Sequence, residues 1–153
     1  MKYSSEIIVE LPIDKFIEKM DNAENMKHWQ EGLVGYEQLE GKPGEVGGKM
    51  ILNYKFKKRE MELTETITHK KLPGEFNMTY ATKSMLNHVE NIFEETPEGH
   101  TKWTSTSEFI PGNFMMKFMT TFMKGAFKKQ SMKYMVAFKN FAEKGISIQN
   151  SNS

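Results

Sequence analysis

The chain has 153 residues, a net charge of +1 at neutral pH and no cysteine. That length suits one domain with a sizeable core, and the lack of cysteine excludes disulfides, thiolate metal sites and cysteine nucleophiles. No stretch has the apolar core of a secretion signal or approaches the roughly 20 apolar residues of a membrane span, so we predict a cytoplasmic protein.

The first 30 residues predict one strand and two short helices. Residues 2–11 alternate in the manner of a strand, and Pro12 can open a helix because the first turn does not use its missing N–H. The first helix carries apolar residues at helical spacing: Ile13, Phe16, Ile17 and Met20. The second is predicted from about Ala23 to Gln30, with Met26 and Trp29 on it.

Residues 33–109 predict about six further strands with period-two alternation. The turn-rich segment 41–48 lacks the Lys-Ser/Thr ending of a phosphate cradle, so its glycines are interpreted as serving the backbone conformation. The turns at 72–74 and 96–99 are too short to hold crossover helices, so the strands are predicted to pair as antiparallel neighbours.

Residues 114–144 predict one long helix, with Asn113 as its N-cap and Gly145 just after its end. An apolar stripe follows one face: Met115, Met119, Phe122, Met123, Ala126, Gln130, Tyr134, Ala137 and Phe141. A solitary helix after a run of strands is expected to bury such a stripe across a concave sheet. We therefore predict a single α+β domain over residues 1–145, with a cavity between helix and sheet, and a frayed polar tail over 146–153.

The helix and tail are strongly basic, because Glu143 is the only acidic side chain after Pro111. Four lysines lie roughly opposite the stripe, which is typical of a solvated outer face: Lys117, Lys124, Lys128 and Lys139. We favour that interpretation over contact with an anionic membrane. No nucleic-acid partner is predicted, because no basic stretch is interleaved with strand aromatics. Oligomeric state is left open.

This order of elements resembles the START-like, Bet v 1-like (SRPBCC) superfamily, especially its bacterial polyketide cyclase/dehydrase-like branch. The resemblance covers about residues 2–145 and is carried by the strand–Pro–helix segment at 11–16, by His28-Trp29 followed by Gly32-Leu33, by the Gly-rich turn at 39–48 and by the closing helix at 128–143. It implies a helix-grip fold, in which a curved antiparallel sheet of about seven strands wraps around a long C-terminal helix. It implies no single activity, since the superfamily includes carriers, enzymes and receptors.

If the apolar parity of each strand faces the helix, the residues around the cavity can be predicted. The expected ligand-binding residues are Trp29, Leu52, Tyr54, Leu63, Glu65, Met78, Tyr80, Asn87, Val89, Asn91, Trp103, Ser105, Ser107, Met115, Met119, Phe122, Met123 and Gln130. A mostly apolar wall with a few polar groups is typical of small-molecule sites. The alternative is a solidly packed core in which buried waters serve the polar groups.

Three functional hypotheses follow. The first is binding of a hydrophobic or amphipathic small molecule, as carrier, sensor or sequestering protein, without a cofactor or metal. The second is a cyclase/dehydratase-type enzyme, in which Glu65, an inward carboxylate with a raised pKa, acts as acid or base. The third is a protein- or membrane-interaction module that uses the basic helix face. The four histidines have no metal-ligand spacing and do not favour a metal centre.

Overall fold

The computed structural model describes residues 1–149, and all the predicted elements are present within them. In chain order they are β1 (Lys2–Val9), α1 (Ile13–Met20), a 3₁₀ helix (Ala23–His28), β2 (Leu33–Glu40), β3 (Lys49–Phe56), β4 (Arg59–Lys71), β5 (Glu75–Ala81), β6 (Met85–Glu95), β7 (Thr101–Pro111) and α2 (Phe114–Lys144). The second predicted helix is thus a short 3₁₀ segment, and the long helix has the predicted bounds.

The seven strands form one antiparallel sheet in the order β1-β7-β6-β5-β4-β3-β2. Strands β2 to β7 follow one another as in the chain, because the connections between them are too short for a crossover. The two short helices after β1 carry the chain to the opposite edge of the sheet, where β2 begins. Strand β1 then pairs with β7, from Lys2 opposite Glu108 to Val9 opposite Thr101.

An aromatic core cluster lies where the second half of α2 meets the two short helices. Phe138 of α2 and Phe16 of α1 are fully buried, with ring centroids 5.1 Å apart. Two tryptophans close around Phe138, Trp29 at 5.3 Å and Trp103 at 5.5 Å. Edge-to-face contacts of this kind add to the free energy gained by burying the rings, so this cluster anchors the C-terminal half of α2.

The buried face of α2 is offset by one residue from the predicted stripe. The buried residues of the helix are Thr120, Met135, Phe138 and Ala142, each one position after a residue of that stripe. One position turns a helix by about 100°. A continuous helix has a single rotational phase, and the packing of Phe138 sets it, so the stripe residues of the first half face solvent.

The prediction that four residues of this helix face the cavity is therefore wrong. The exposed fractions are 72% for Met115, 44% for Met119, 74% for Phe122 and 41% for Met123. Phe127 follows Ala126 of the predicted stripe by one position. It faces the sheet and stacks on Phe109, with ring centroids 4.8 Å apart.

Both ends of α2 have the predicted caps. The side chain of Asn113 accepts a hydrogen bond from the Met116 N–H at 2.8 Å, which satisfies one of the donors left free in the first turn. Gly145 ends the helix at φ 68°, a left-handed conformation that favours glycine.

The segment after α2 is described as far as Gln149. Ser147 is buried there, and its hydroxyl hydrogen-bonds the Nδ1 of His28 at 2.8 Å, so this part packs against the domain. That contact differs from the expected fraying of the tail. The rest of the predicted tail, 150–153, lies outside the described residues.

Candidate functional site

A cavity of about 1270 Å³ lies between the inner face of the sheet and the second half of α2. The predicted residues that line it are Trp29, Tyr54, Leu63, Glu65, Met78, Tyr80, Asn87, Val89, Asn91, Trp103, Ser105, Ser107 and Gln130. Strand parity brings these residues together, because alternate side chains of each strand point to the same face. The exposed lining residues Glu24, Glu45 and Arg59 mark where the cavity meets solvent.

Five predicted residues do not line the cavity. Leu52 has the expected parity on β3 but is fully buried in the core. Met115, Met119, Phe122 and Met123 lie on the exposed face of α2, for the reason of helix phase given above. The wall that α2 supplies begins at Ala126 and continues through Tyr134 and Met135.

Several lining residues had only a weak signal in the sequence. Gln30 follows the 3₁₀ helix, where no periodicity applies, and its Oε1 accepts a hydrogen bond from the Tyr54 hydroxyl at 2.7 Å. Tyr3 shares the inner parity of β1, and its hydroxyl lies 2.7 Å from that of Ser131 on α2. The alternation of residues 2–11 predicts that Tyr3 faces inward, but only the rotational phase of α2 shows that Ser131 faces Tyr3.

The strand register aligns polar residues in a row across the inner face. Glu65 on β4 lies opposite Met50 on β3 and Tyr80 on β5. Tyr80 is in turn opposite Asn87 on β6, which faces Phe109 on β7. Residues directly opposite each other in an antiparallel pair are close enough for their side chains to interact. The row places a carboxyl, a phenol and an amide side by side in an otherwise apolar wall.

Burial shifts the pKa values of the groups in this row and beside it. Removal from water raises the pKa of Glu65, which is 9% exposed, and an interaction with the Tyr80 hydroxyl opposes part of that rise. Burial and the nearby Glu65 both raise the pKa of Tyr80 and of Tyr54. Burial therefore shifts Glu65 towards its protonated form, and the tyrosines of the cavity present hydroxyl groups rather than phenolates.

The raised pKa of Glu65 predicts a pH-dependent stability. The folded protein holds the Glu65 proton more tightly than the unfolded chain, so the free energy of unfolding falls as the pH rises from the ordinary glutamate range through the raised folded pKa. Glu65→Gln removes this proton. We expect the stability of the variant relative to wild type to increase as the pH rises from about 4, the ordinary glutamate range, through the raised folded pKa. Urea unfolding of both proteins across this range measures it, and a constant difference would contradict the assignment.

Two polar groups on the wall are already satisfied by protein partners. The Asn91 amide donates to the Phe76 carbonyl at 3.0 Å, and its Oδ1 accepts from the Trp103 indole N–H at 2.9 Å. Each bond satisfies a buried polar group that would otherwise destabilise the fold. Asn91 and Trp103 therefore hold the wall in place rather than offer free hydrogen-bonding groups.

Two other buried polar atoms of the wall have no hydrogen-bond partner within residues 1–149. They are the Trp29 Nε1, a donor, and the Asn87 Oδ1, an acceptor. An unpaired buried polar atom costs about 1–3 kcal/mol. A polar ligand atom in the cavity is one way to recover that free energy. Asn87 lies in the same row as Glu65 and Tyr80, so these three residues define one polar region.

Neither a metal site nor a membrane-spanning helix is found in residues 1–149. No group of three or more His, Asp or Glu residues is placed there to hold a metal ion. No helix in that range is both long and apolar enough to cross a bilayer.

Comparisons with known proteins identify the fold. No family model and no curated protein matches this chain by sequence. Among solved structures, Ara h 8.0201 matches with a TM-score of 0.75 at 13% identity, over 93% of this chain and 97% of that chain. A protein from Thermus thermophilus matches with a TM-score of 0.74 at 6% identity, over 93% and 97%.

A putative uncharacterized protein from Rhizobium leguminosarum matches with a TM-score of 0.73 at 14% identity, over 94% of each chain. At such low identity these similarities show the fold alone. The chain has the helix-grip, Bet v 1-like fold, which confirms the predicted fold class. The polyketide cyclase/dehydrase-like branch stays a prediction.

Proposed function

We propose that this protein binds an amphipathic small molecule in the cavity between the sheet and α2. The cavity volume of about 1270 Å³ is the observation that carries the proposal. It exceeds the 300–1,000 Å³ typical of small-molecule pockets, so a long-chain or multi-ring molecule fits it better than a small metabolite. The ligand's polar end would lie at Glu65, Tyr80 and Asn87.

The chemistry of the wall supports this orientation of the ligand. Most of the lining is apolar, and Leu63, Met78 and Val89 offer a surface for a hydrocarbon body. Methionine is unbranched and polarisable, so it adapts to ligands of varied shape. A protonated Glu65 both donates and accepts hydrogen bonds, and the Asn87 Oδ1 accepts one. A hydroxyl group on the ligand satisfies these partners without bringing a charge into the cavity.

Competition binding tests whether the polar end of the ligand lies at Glu65. A neutral fluorescent probe, N-phenyl-1-naphthylamine, would be displaced by a long-chain primary alcohol and by its methyl ether. We expect the alcohol to bind wild type about three- to tenfold more tightly than the ether, which is the strength of one net hydrogen bond. Glu65→Leu should remove that preference and still bind the probe.

Asn91→Leu serves as the comparison variant. Asn91 also lines the cavity, but its side-chain amide is already hydrogen-bonded to Phe76 and Trp103. It should keep the preference for the alcohol if it folds, which thermal melting checks. Equal binding of alcohol and ether to wild type would exclude a polar end at Glu65. Lack of probe uptake by wild type would exclude the binding function as a whole.

Acid–base catalysis is a second candidate, favoured by the contact between Glu65 and Tyr80. A buried carboxyl with a raised pKa can exchange a proton with a bound substrate. Glu65→Gln separates the two functions, since an amide still hydrogen-bonds a ligand but transfers no proton. Turnover of a polyketide-like substrate that Glu65→Gln abolishes, with binding unchanged, would establish the enzyme.

A further inference from the structure

The first half of α2 exposes a continuous apolar surface, which we call the α2 ridge. Its residues are Phe114, Met115, Phe118, Met119, Phe122 and Met123, with exposed fractions of 84%, 72%, 58%, 44%, 74% and 41%. They recur at spacings of three and four, so they lie together on one side of the helix. The rings of Phe118 and Phe122 are in contact, with centroids 4.6 Å apart. Exposed apolar patches of this kind mark interaction sites.

The charged side chains of α2 before Glu143 are all positive. The sequence has no acidic residue between Glu108 and Glu143. Lys117, Lys124 and Lys128 are exposed on the side of α2 roughly opposite the ridge. None of the ion pairs among residues 1–149 involves these three lysines. The ridge thus joins apolar side chains to unpaired cations on one amphipathic helix.

A second copy of the chain fits this surface poorly. In a symmetric dimer each partner would present the same patch, so two helices whose charged residues before Glu143 are all lysines would be brought together. No carboxylate on α2 before Glu143 is available to offset the repulsion. A bilayer containing anionic lipid offers both complements, since its acyl chains accept phenylalanine and methionine side chains and its headgroups attract lysines.

We propose that the α2 ridge docks the protein on anionic membrane surfaces, with the helix lying in the plane of the interface. This orientation agrees with the finding that no helix of residues 1–149 could span a bilayer. The ridge ends at Met123, and the cavity wall on α2 begins at Ala126, less than one turn further on. Docking would therefore place the membrane interface beside the cavity. Binding of the α2 ridge to a membrane does not depend on which molecule the cavity binds.

Vesicle co-sedimentation tests the ridge. We expect wild type to bind vesicles of phosphatidylcholine and phosphatidylglycerol in equal parts, and to bind phosphatidylcholine alone much more weakly. The variant F118S/F122S should bind the mixed vesicles at least about tenfold more weakly, because both rings leave the acyl region. K124Q/K128Q should weaken the same binding about tenfold to thirtyfold, and added salt should reproduce that loss.

Matched controls make the same changes elsewhere on the surface. L39S/V46S removes two exposed apolar residues in and beside the β2–β3 loop, and K42Q/K71Q removes two exposed lysines. Both should bind as wild type does. Phe122→Trp gives a second readout, a blue-shifted fluorescence on addition of mixed vesicles. Absence of binding to anionic vesicles would overturn the proposal, whether the ridge then forms dimers in ultracentrifugation or the protein stays monomeric. Binding that F118S/F122S retains would also overturn it.

Discussion

Replacing Phe138 with alanine should lower the free energy of unfolding by about 3–5 kcal/mol, the range for removing a fully buried phenylalanine. Phe138 is 0% exposed and contacts the rings of Phe16, Trp29 and Trp103. The aromatic neighbours come from three separate parts of the chain and contact one another, so they have little freedom to close over the space left behind. Urea denaturation followed by circular dichroism measures the change.

The matched control is Phe122→Ala on the same helix. Phe122 is 74% exposed, so the same substitution should change the free energy of unfolding by no more than about 0.5 kcal/mol. The pair tests the rotational phase of α2 directly. If Phe122→Ala proved the more damaging of the two, the stripe expected from the sequence would face the sheet, and the observed phase would be wrong.

Replacing Val89 with tryptophan should weaken uptake of a neutral apolar probe at least about tenfold. Val89 is half-buried, lines the cavity and lies between Met78 on β5 and Ser107 on β7. A large ring on this central strand would project into the space that the ligand is proposed to occupy. Titration with N-phenyl-1-naphthylamine measures the loss.

Glu90→Trp is the control for this variant. Glu90 is the next residue of β6, so its side chain points to the opposite, exposed face of the sheet. The Glu90→Trp variant adds the same ring to the same strand but outside the cavity, so its affinity for the probe should match that of wild type. Thermal melting of both variants separates a filled cavity from a damaged sheet. Equal probe affinity in both would place the binding site elsewhere.

The inner face of the sheet was predictable because each strand has one face in contact with the core. Alternation along β3 and β4 identified Tyr54, Leu63 and Glu65, and all three line the cavity. A shift of one residue would move the apolar side chains of a strand to the solvent face. Parity therefore fixes which side chains face inward, although it did not distinguish Leu52, which is covered by the core, from its neighbours.

The phase of α2 was not predictable from the same pattern. Apolar side chains surround much of its first half, so the sequence pattern favours the side of the helix that carries the most Met and Phe. The structure buries Thr120 instead, at 2% exposure, and places Ser131 beside Tyr3. Small polar residues at a close contact carry no hydrophobic signal. The phase is decided by Phe138, whose aromatic partners come from distant parts of the chain.

The contacts between polar residues of the cavity were also not predictable from the sequence. Glu65 was identifiable as an inward carboxylate, but its row with Tyr80 and Asn87 depends on strand register. Gln30 reaches Tyr54 from a short irregular segment. Such contacts join residues far apart in the chain, and no periodicity encodes them.

Native mass spectrometry of the freshly purified protein tests the proposed binding function most directly. We expect wild type to carry a small-molecule adduct, which organic extraction removes and adding back the extract restores. Glu90→Trp should carry the same adduct, and Val89→Trp should not. A wild-type protein that shows only the mass of the bare chain, and that takes up neither probe nor long-chain alcohol when they are added, would contradict the proposed function.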